Sequence, residues 1–276
     1  MKFTTQLAEA ARLNDSLLCV GLDPEPAKFP GAWKGNPDKI ADFCCAIVDA
    51  TKDLVNSFKP QIAYFAAHRA EDQLERLMAH IKRVAPSVPV ILDAKRGDIG
   101  STAEQYAREA FVRYQADALT LSPFMGFDSI EPYLRFGDKG LFLLCRTSNP
   151  GGSDLQNQVL EGGERVFERV ARLAAADWNT SGQLGLVVGA TFPAEIARVR
   201  ELAPTLPLLV PGVGAQGGDA RATVQAAGAA QGAPLIVNSS RAVLYASSGE
   251  DFRAAARQAA FDSRAVLNAA RLAAAS

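Results

Sequence analysis

Eight short strand-like runs, most of them continuously apolar, recur along this chain of 276 residues and constrain its fold more than any other feature. They span Leu17 to Leu22, Ser57 to Gln61, Val88 to Asp93, Ala118 to Leu121, Leu141 to Arg146, Leu184 to Val188, Leu208 to Val210 and Leu235 to Asn238. A strand with one wet face alternates, whereas strands rich in Val, Ile and Leu throughout belong to a parallel sheet covered on both faces. Amphipathic stretches separate the runs: Asp38 to Asn56, Ala70 to Val84, Thr102 to Tyr114, Glu164 to Trp178, Ala194 to Leu202 and Asp219 to Ala227. Phe3 to Leu13 reads as a leading helix and the Ala-rich Asp251 to Ala275 as a closing one. Eight strand–helix units in this length predict a closed (β/α)8 TIM barrel of parallel strands over an open sheet. No Gly/Ser/Pro linker divides the chain, so residues 1–276 read as one barrel domain.

Composition narrows the function. A formal net charge of −1 argues against the basic face that nucleic acid requires, though a few local groups suffice to hold a small anion. The N-terminus lacks the apolar core of a signal peptide, and no run of 18 or more apolar residues occurs, so a cytoplasmic protein without a membrane span is expected. Cys19, Cys44, Cys45 and Cys145 show no CxxC spacing and read as buried thiols in a reducing compartment. His68 and His80, the only histidines, have no HxxxH or HExxH spacing, so no metal site is expected.

In a barrel of this kind the chemistry sits just beyond the C-terminal strand ends. The third run leads into Asp93-Ala94-Lys95-Arg96-Gly97-Asp98. Residues two apart on a strand share a face, so a strand continuing through Lys95 projects Asp93 and Lys95 together. Buried charges must be paired, and an ion-pair network that merely closes a strand would explain this segment alone. The other strand ends count against that reading. Asp23 follows the first run, Lys59 lies on the second, Arg146 to Gly152 form a polar, flexible turn after the fifth, Pro211 to Asp219 follow the seventh, and Ser239 to Arg241 the eighth. Gly212, Gly214, Gly217 and Gly218 let backbone approach a ligand and lead into a helix near Asp219, whose free amides would attract an anion. Arg241 adds a forked cation, and the loops after strands seven and eight are the usual phosphate site of such barrels. A phosphorylated substrate follows. Opposite it, Lys59, Asp93, Lys95 and Asp98 form an alternating charge array suited to stabilising and protonating a carbanion. A Schiff-base lysine is the rival role, but it prefers a desolvated or cation-flanked amine.

The segments Val20 to Pro24, Phe58 to Gln61, Asp93 to Thr102, Pro211 to Asp219 and Ser240-Arg241 together resemble the orotidine 5′-phosphate decarboxylase family, in its longer bacterial and archaeal subgroup. The likeness covers nearly the whole chain. It departs at Ala66, where relatives often carry an acidic residue, and at Ser122, where they commonly place asparagine. The resemblance implies conversion of orotidine 5′-monophosphate to UMP, the last step of pyrimidine synthesis, with no metal or organic cofactor. It implies that Lys95 protonates C6, that Asp93 lies against the substrate carboxylate, and that Lys59 orients Asp93 and contacts the ribose. Asp23 matches a ribose ligand, and Gln216 and Arg241 match phosphate ligands, with Pro211 and Ser240 beside them. Ser148 resembles a pyrimidine contact. Asp98 and Thr102 would reach into the partner subunit of a homodimer. Two other readings stay open on the residues alone: a metal-dependent sugar-phosphate lyase of a related barrel family, and a catalytically silent nucleotide-phosphate sensor.

Overall fold

The computed structural model describes residues 1–213, 218–229 and 232–275. Eight parallel strands form one sheet: β1 Leu18–Leu22, β2 Ser57–Pro60, β3 Ile91–Arg96, β4 Ala118–Leu121, β5 Gly140–Arg146, β6 Leu184–Val188, β7 Leu208–Pro211 and β8 Leu235–Ser239, in the order β2-β1-β8-β7-β6-β5-β4-β3. The two outer members of that order, β2 and β3, meet through bridges between Phe58 and Val90 and between Gln61 and Asp93. The Phe58 amide donates to the Pro89 carbonyl at 3.1 Å across the same seam. The sheet is thereby a (β/α)8 barrel, as the eight apolar runs require.

Side-chain alternation sorts the core into two layers. Cys19, Ile91, Ala118, Phe142, Val187, Leu209 and Ile236 gather inside the barrel, joined by Phe3 and Leu7 of the leading helix Phe3–Leu13. The Phe3 ring meets Phe142 edge-on at 5.6 Å, plugging the base of the barrel. Gly140 makes room for it, since a Cβ there would collide with the Phe3 ring. Burying one such phenylalanine contributes about 1.5–3 kcal/mol. The strand residues between these pack outward on the helix layer, where Leu18, Val20, Leu22, Leu119 and Val237 belong to the larger core.

The helices fall where amphipathic patterning places them, with two differences. The stretch from Thr102 to Tyr114 is α-helical only as Gly100–Arg108 and continues as a π-helical turn, Glu109–Arg113. Glu109 is drawn to β3 by a two-pronged bond from Arg96, at 3.0 and 3.1 Å. Between β4 and β5 no amphipathic stretch is legible, and there the chain forms only the short helices Phe127–Ser129 and Glu131–Leu134. Strand β3 is also displaced: it starts at Ile91 rather than Val88 and extends beyond Asp93 to Arg96. Pro89 has no amide to offer a ladder, and the Val90 amide donates to the Asp117 carboxylate at 2.9 Å.

Candidate active site

β3 continues past Asp93 to Arg96, and its pairing with β4 shifts between Leu92 and Arg96, where Lys95 takes a φ of +45°. Lys59, on β2 across the seam, donates to Asp93 Oδ2 at 2.9 Å, and Lys95 donates to Asp93 Oδ1 at 2.7 Å. The Thr120 hydroxyl of β4 donates to Oδ1 as well, at 2.9 Å. Asp93 is 7% exposed and Lys59 5%, while the Lys95 side chain stays 47% accessible at the mouth. Burial alone would raise the Asp93 carboxyl. The two ammonium groups and their hydrogen bonds outweigh it, holding the carboxyl well below the usual carboxylate range. Burial likewise works against the Lys59 charge, yet Asp93 and then Asp23 push its ammonium above the ordinary lysine value. The pair is ionised and mutually committed.

The opposite side of the mouth is built differently. Asp23 follows β1, and its own carbonyl accepts from the Tyr245 hydroxyl at 2.9 Å while the Glu25 amide donates to that hydroxyl at 2.7 Å. The tyrosine thus pins the chain around Asp23, but Asp23 Oδ1 is buried with no hydrogen-bond partner among the described residues. At the end of β8, Asn238 Nδ2 donates to Ser240 Oγ at 3.2 Å. Both side chains press so close to β1 that a Cβ at Gly21 would collide with Ser240 Oγ, so glycine is required there. Arg241 opens the short helix Arg241–Leu244 and is exposed.

A cleft of about 290 Å³ joins the two sides and brings Asp23, Lys59, Asp93, Pro211, Ser240 and Arg241 onto one lining. Lys95 joins them through its bond to Asp93. Three of the other sequence-predicted residues lie outside this lining. Asp98 is half-buried on the turn after β3, Thr102 is exposed on the helix that follows, and Ser148 packs against Gly189 beyond β6. Gln216 falls outside the described residues. A larger groove of about 840 Å³ lies between helices Ile40–Thr51 and Glu71–Val84, remote from the strand ends. His80 is in it, hydrogen-bonded to Asp49 at 3.0 Å.

Comparison with known proteins places the chain in a family. The family model for orotidine 5′-phosphate decarboxylase / HUMPS proteins matches residues 16–259. The chain belongs to this family. It is 75% identical to the orotidine 5′-phosphate decarboxylase of Leptothrix cholodnii and 73% identical to that of Methylibium petroleiphilum, over 99% and 98% of this chain and 99% and 100% of those proteins. The structure of Leishmania donovani OMP decarboxylase superposes with a TM-score of 0.86 at 39% identity, covering 99% of this chain and all of that one.

Within that family frame, two strand-end segments carry side-chain bonds of their own. The helix after the glycine-rich segment is Ala220–Ala226, and the Asp219 carboxylate accepts from its Ala222 amide at 2.6 Å. The cap satisfies one amide of the helix's first turn. The turn after β5 is braced rather than loose. Arg146, 1% exposed, donates to Glu195 at 2.6 Å and to the Thr147 carbonyl at 3.0 Å, and Gln156 accepts from the Thr147 amide at 2.8 Å. Sequence reasoning missed Thr120 and Tyr245 altogether. Thr120 looks like any β-branched strand residue, and nothing local to Tyr245 signals a bond to residues more than two hundred positions away. Cys19, beneath the array, is no nucleophile, because burial pushes its thiol up to about 12.

Proposed function

We propose that this protein is an orotidine 5′-monophosphate decarboxylase, releasing CO2 and forming UMP for pyrimidine synthesis. The observation that carries the reading is the Lys59–Asp93–Lys95 array at one end of a cleft whose other end is the β7–β8 rim with Arg241. Arg241, with Gln216, would grip the substrate phosphate beside Pro211 and Ser240. Asp23 Oδ1, a buried acceptor, suits a ribose hydroxyl. Ser148 would meet the pyrimidine from the braced β5 turn.

The substrate carboxylate then lies against Asp93, and like charges at that distance destabilise the bound ground state. The C6–carboxyl bond breaks heterolytically, CO2 leaves, and the electron pair stays on C6 beside the Lys95 ammonium. Lys95 gives its proton to C6, completing UMP, and the resulting amine regains a proton from solvent. An ammonium donating to a carboxylate is poorly placed to form an imine, which counts against the Schiff-base role. Both Asp93 oxygens are already taken by cations and a hydroxyl, so Asp93 is a poor metal ligand.

Asp98 and Thr102, outside the cleft of their own chain, fit contributions to a partner's site in a homodimer. Exposed apolar residues beside them support such an interface: Ile99 is 50% exposed, Phe124 77% and Met125 52%. Free cysteines fit a reducing cytoplasm, and among the described residues no helix is long and apolar enough to cross a membrane. Purified protein incubated with orotidine 5′-monophosphate tests the reading. Equimolar UMP and CO2, undiminished by a chelator, are expected; no turnover, or turnover abolished by chelation, overturns it.

A further inference from the structure

Thr120 has no part in the roles assigned so far, yet its hydroxyl bonds both the Lys95 amide and the Asp93 carboxylate. Strands β3 and β4 pair in register at Ile91–Ala118 and Leu92–Leu119, then shift before Arg96–Leu121. Within that irregularity Lys95 has a φ of +45°, a left-handed conformation that costs a side-chain-bearing residue about 1–2 kcal/mol. Such shifts re-aim side chains beside active sites. The amides of Ala94 and Lys95 both donate to Thr120 Oγ1, at 3.0 and 2.9 Å. With both lone pairs so used, the hydroxyl proton is left to one acceptor, Asp93 Oδ1 at 2.9 Å. Thr120 is 1% exposed, so no water competes for these bonds.

We propose that Thr120 is a positioning residue of the decarboxylation: its hydroxyl holds the Lys95 backbone in the left-handed turn that aims the ammonium inward and, through the same oxygen, fixes the Asp93 carboxylate. Ammonium and carboxylate thereby keep one mutual geometry before substrate arrives. The inference rests on the roles given above to Lys95 and Asp93. A valine has nearly the same shape and propensity for the strand but neither receives the two amides nor donates to Asp93.

Thr120→Val, Thr120→Ala and Thr120→Ser, each with its melting temperature recorded, are compared with wild type for kcat and KM on orotidine 5′-monophosphate and for UMP affinity. Loss of the hydroxyl lowers kcat by about tenfold to a hundredfold, the scale of a misplaced reacting group, with KM and UMP affinity within about threefold of wild type. Thr120→Ser recovers at least tenfold of the rate relative to Thr120→Val. Wild-type kcat in Thr120→Val, a serine variant as slow as valine, or UMP affinity falling in step with kcat overturns the inference. If the valine variant does not fold, the serine–alanine pair decides by the same criteria. Active wild type with an unaffected valine variant defeats this inference alone, whereas wild type without turnover defeats the functional reading beneath it.

Discussion

On the β2–β3–β4 side of the mouth, Lys59, Asp93, Lys95 and Thr120 bond to one another through four hydrogen bonds of 2.7–2.9 Å. On the β1–β7–β8 side, Asp23 Oδ1 has no partner among the described residues and Arg241 stands exposed at its rim. One side is finished before substrate binds; the other has groups whose partners a ligand would supply. The difference matches two tasks. Charge that develops during reaction is best met by groups that need not reorganise, whereas binding draws on groups that gain new partners. Substitutions on the first side should therefore lower kcat, and those on the second should raise KM.

Lys95→Ala has the largest expected effect, a fall in kcat of about 10⁴-fold or more, because in the proposed mechanism the proton donor and the fixed cation are lost together. Steady-state assays with UMP affinity as control check it. Asp93→Asn should lower kcat by about 10²–10³-fold and also destabilise the fold by about 3–5 kcal/mol, since the buried Lys59 ammonium loses its counter-charge. Denaturant unfolding measures the second part. Arg241→Ala should raise KM about tenfold to a hundredfold with little change in kcat, the scale of a charge-assisted hydrogen bond of about 1.5–3 kcal/mol. A matching fall in kcat at saturation would break the comparison. Gly21→Ala, which drives a methyl into Ser240, should cost only about 1–3 kcal/mol of stability and a modest rise in KM.

The smallest effect is one of pH. The Asp93 carboxyl is depressed in the fold, so its stabilisation is present above the ordinary carboxylate value and is lost as pH falls toward the depressed one. Lys59 is raised, so its share is present below the ordinary lysine value and is lost only as pH rises through the raised one. The stability gap between wild type and Asp93→Asn should therefore stay flat from about pH 5 to 8 and narrow below about pH 4. A gap that changes near neutrality would mean the array is not committed.

The barrel was legible because a parallel sheet buried on both faces leaves uninterrupted Val/Ile/Leu runs, and eight of them leave little choice of topology. Three of the four expected array members, Lys59, Asp93 and Lys95, do meet, but Lys95 does so from a left-handed turn in an irregular stretch of β3, and Asp98 lies apart. Other features depend on long-range contacts that no local pattern records. The displaced start of β3 depends on the Asp117 carboxylate twenty-seven positions beyond Val90, and the bracing of the β5 turn on Glu195. Thr120 went unnoticed since its methyl reads as a strand former while its hydroxyl carries the role. The Asp219 cap had a local signal, an Asp directly before an amphipathic stretch.

A crystal structure of the protein with UMP, set beside one without ligand, tests the contrast between the two sides most directly. The account predicts that the Lys59–Asp93, Lys95–Asp93 and Thr120–Asp93 bonds stay within hydrogen-bond length in both, while Asp23 Oδ1 and Arg241 acquire ribose and phosphate partners. An array that breaks or rebuilds itself around the nucleotide, with Asp23 and Arg241 left untouched, would contradict it.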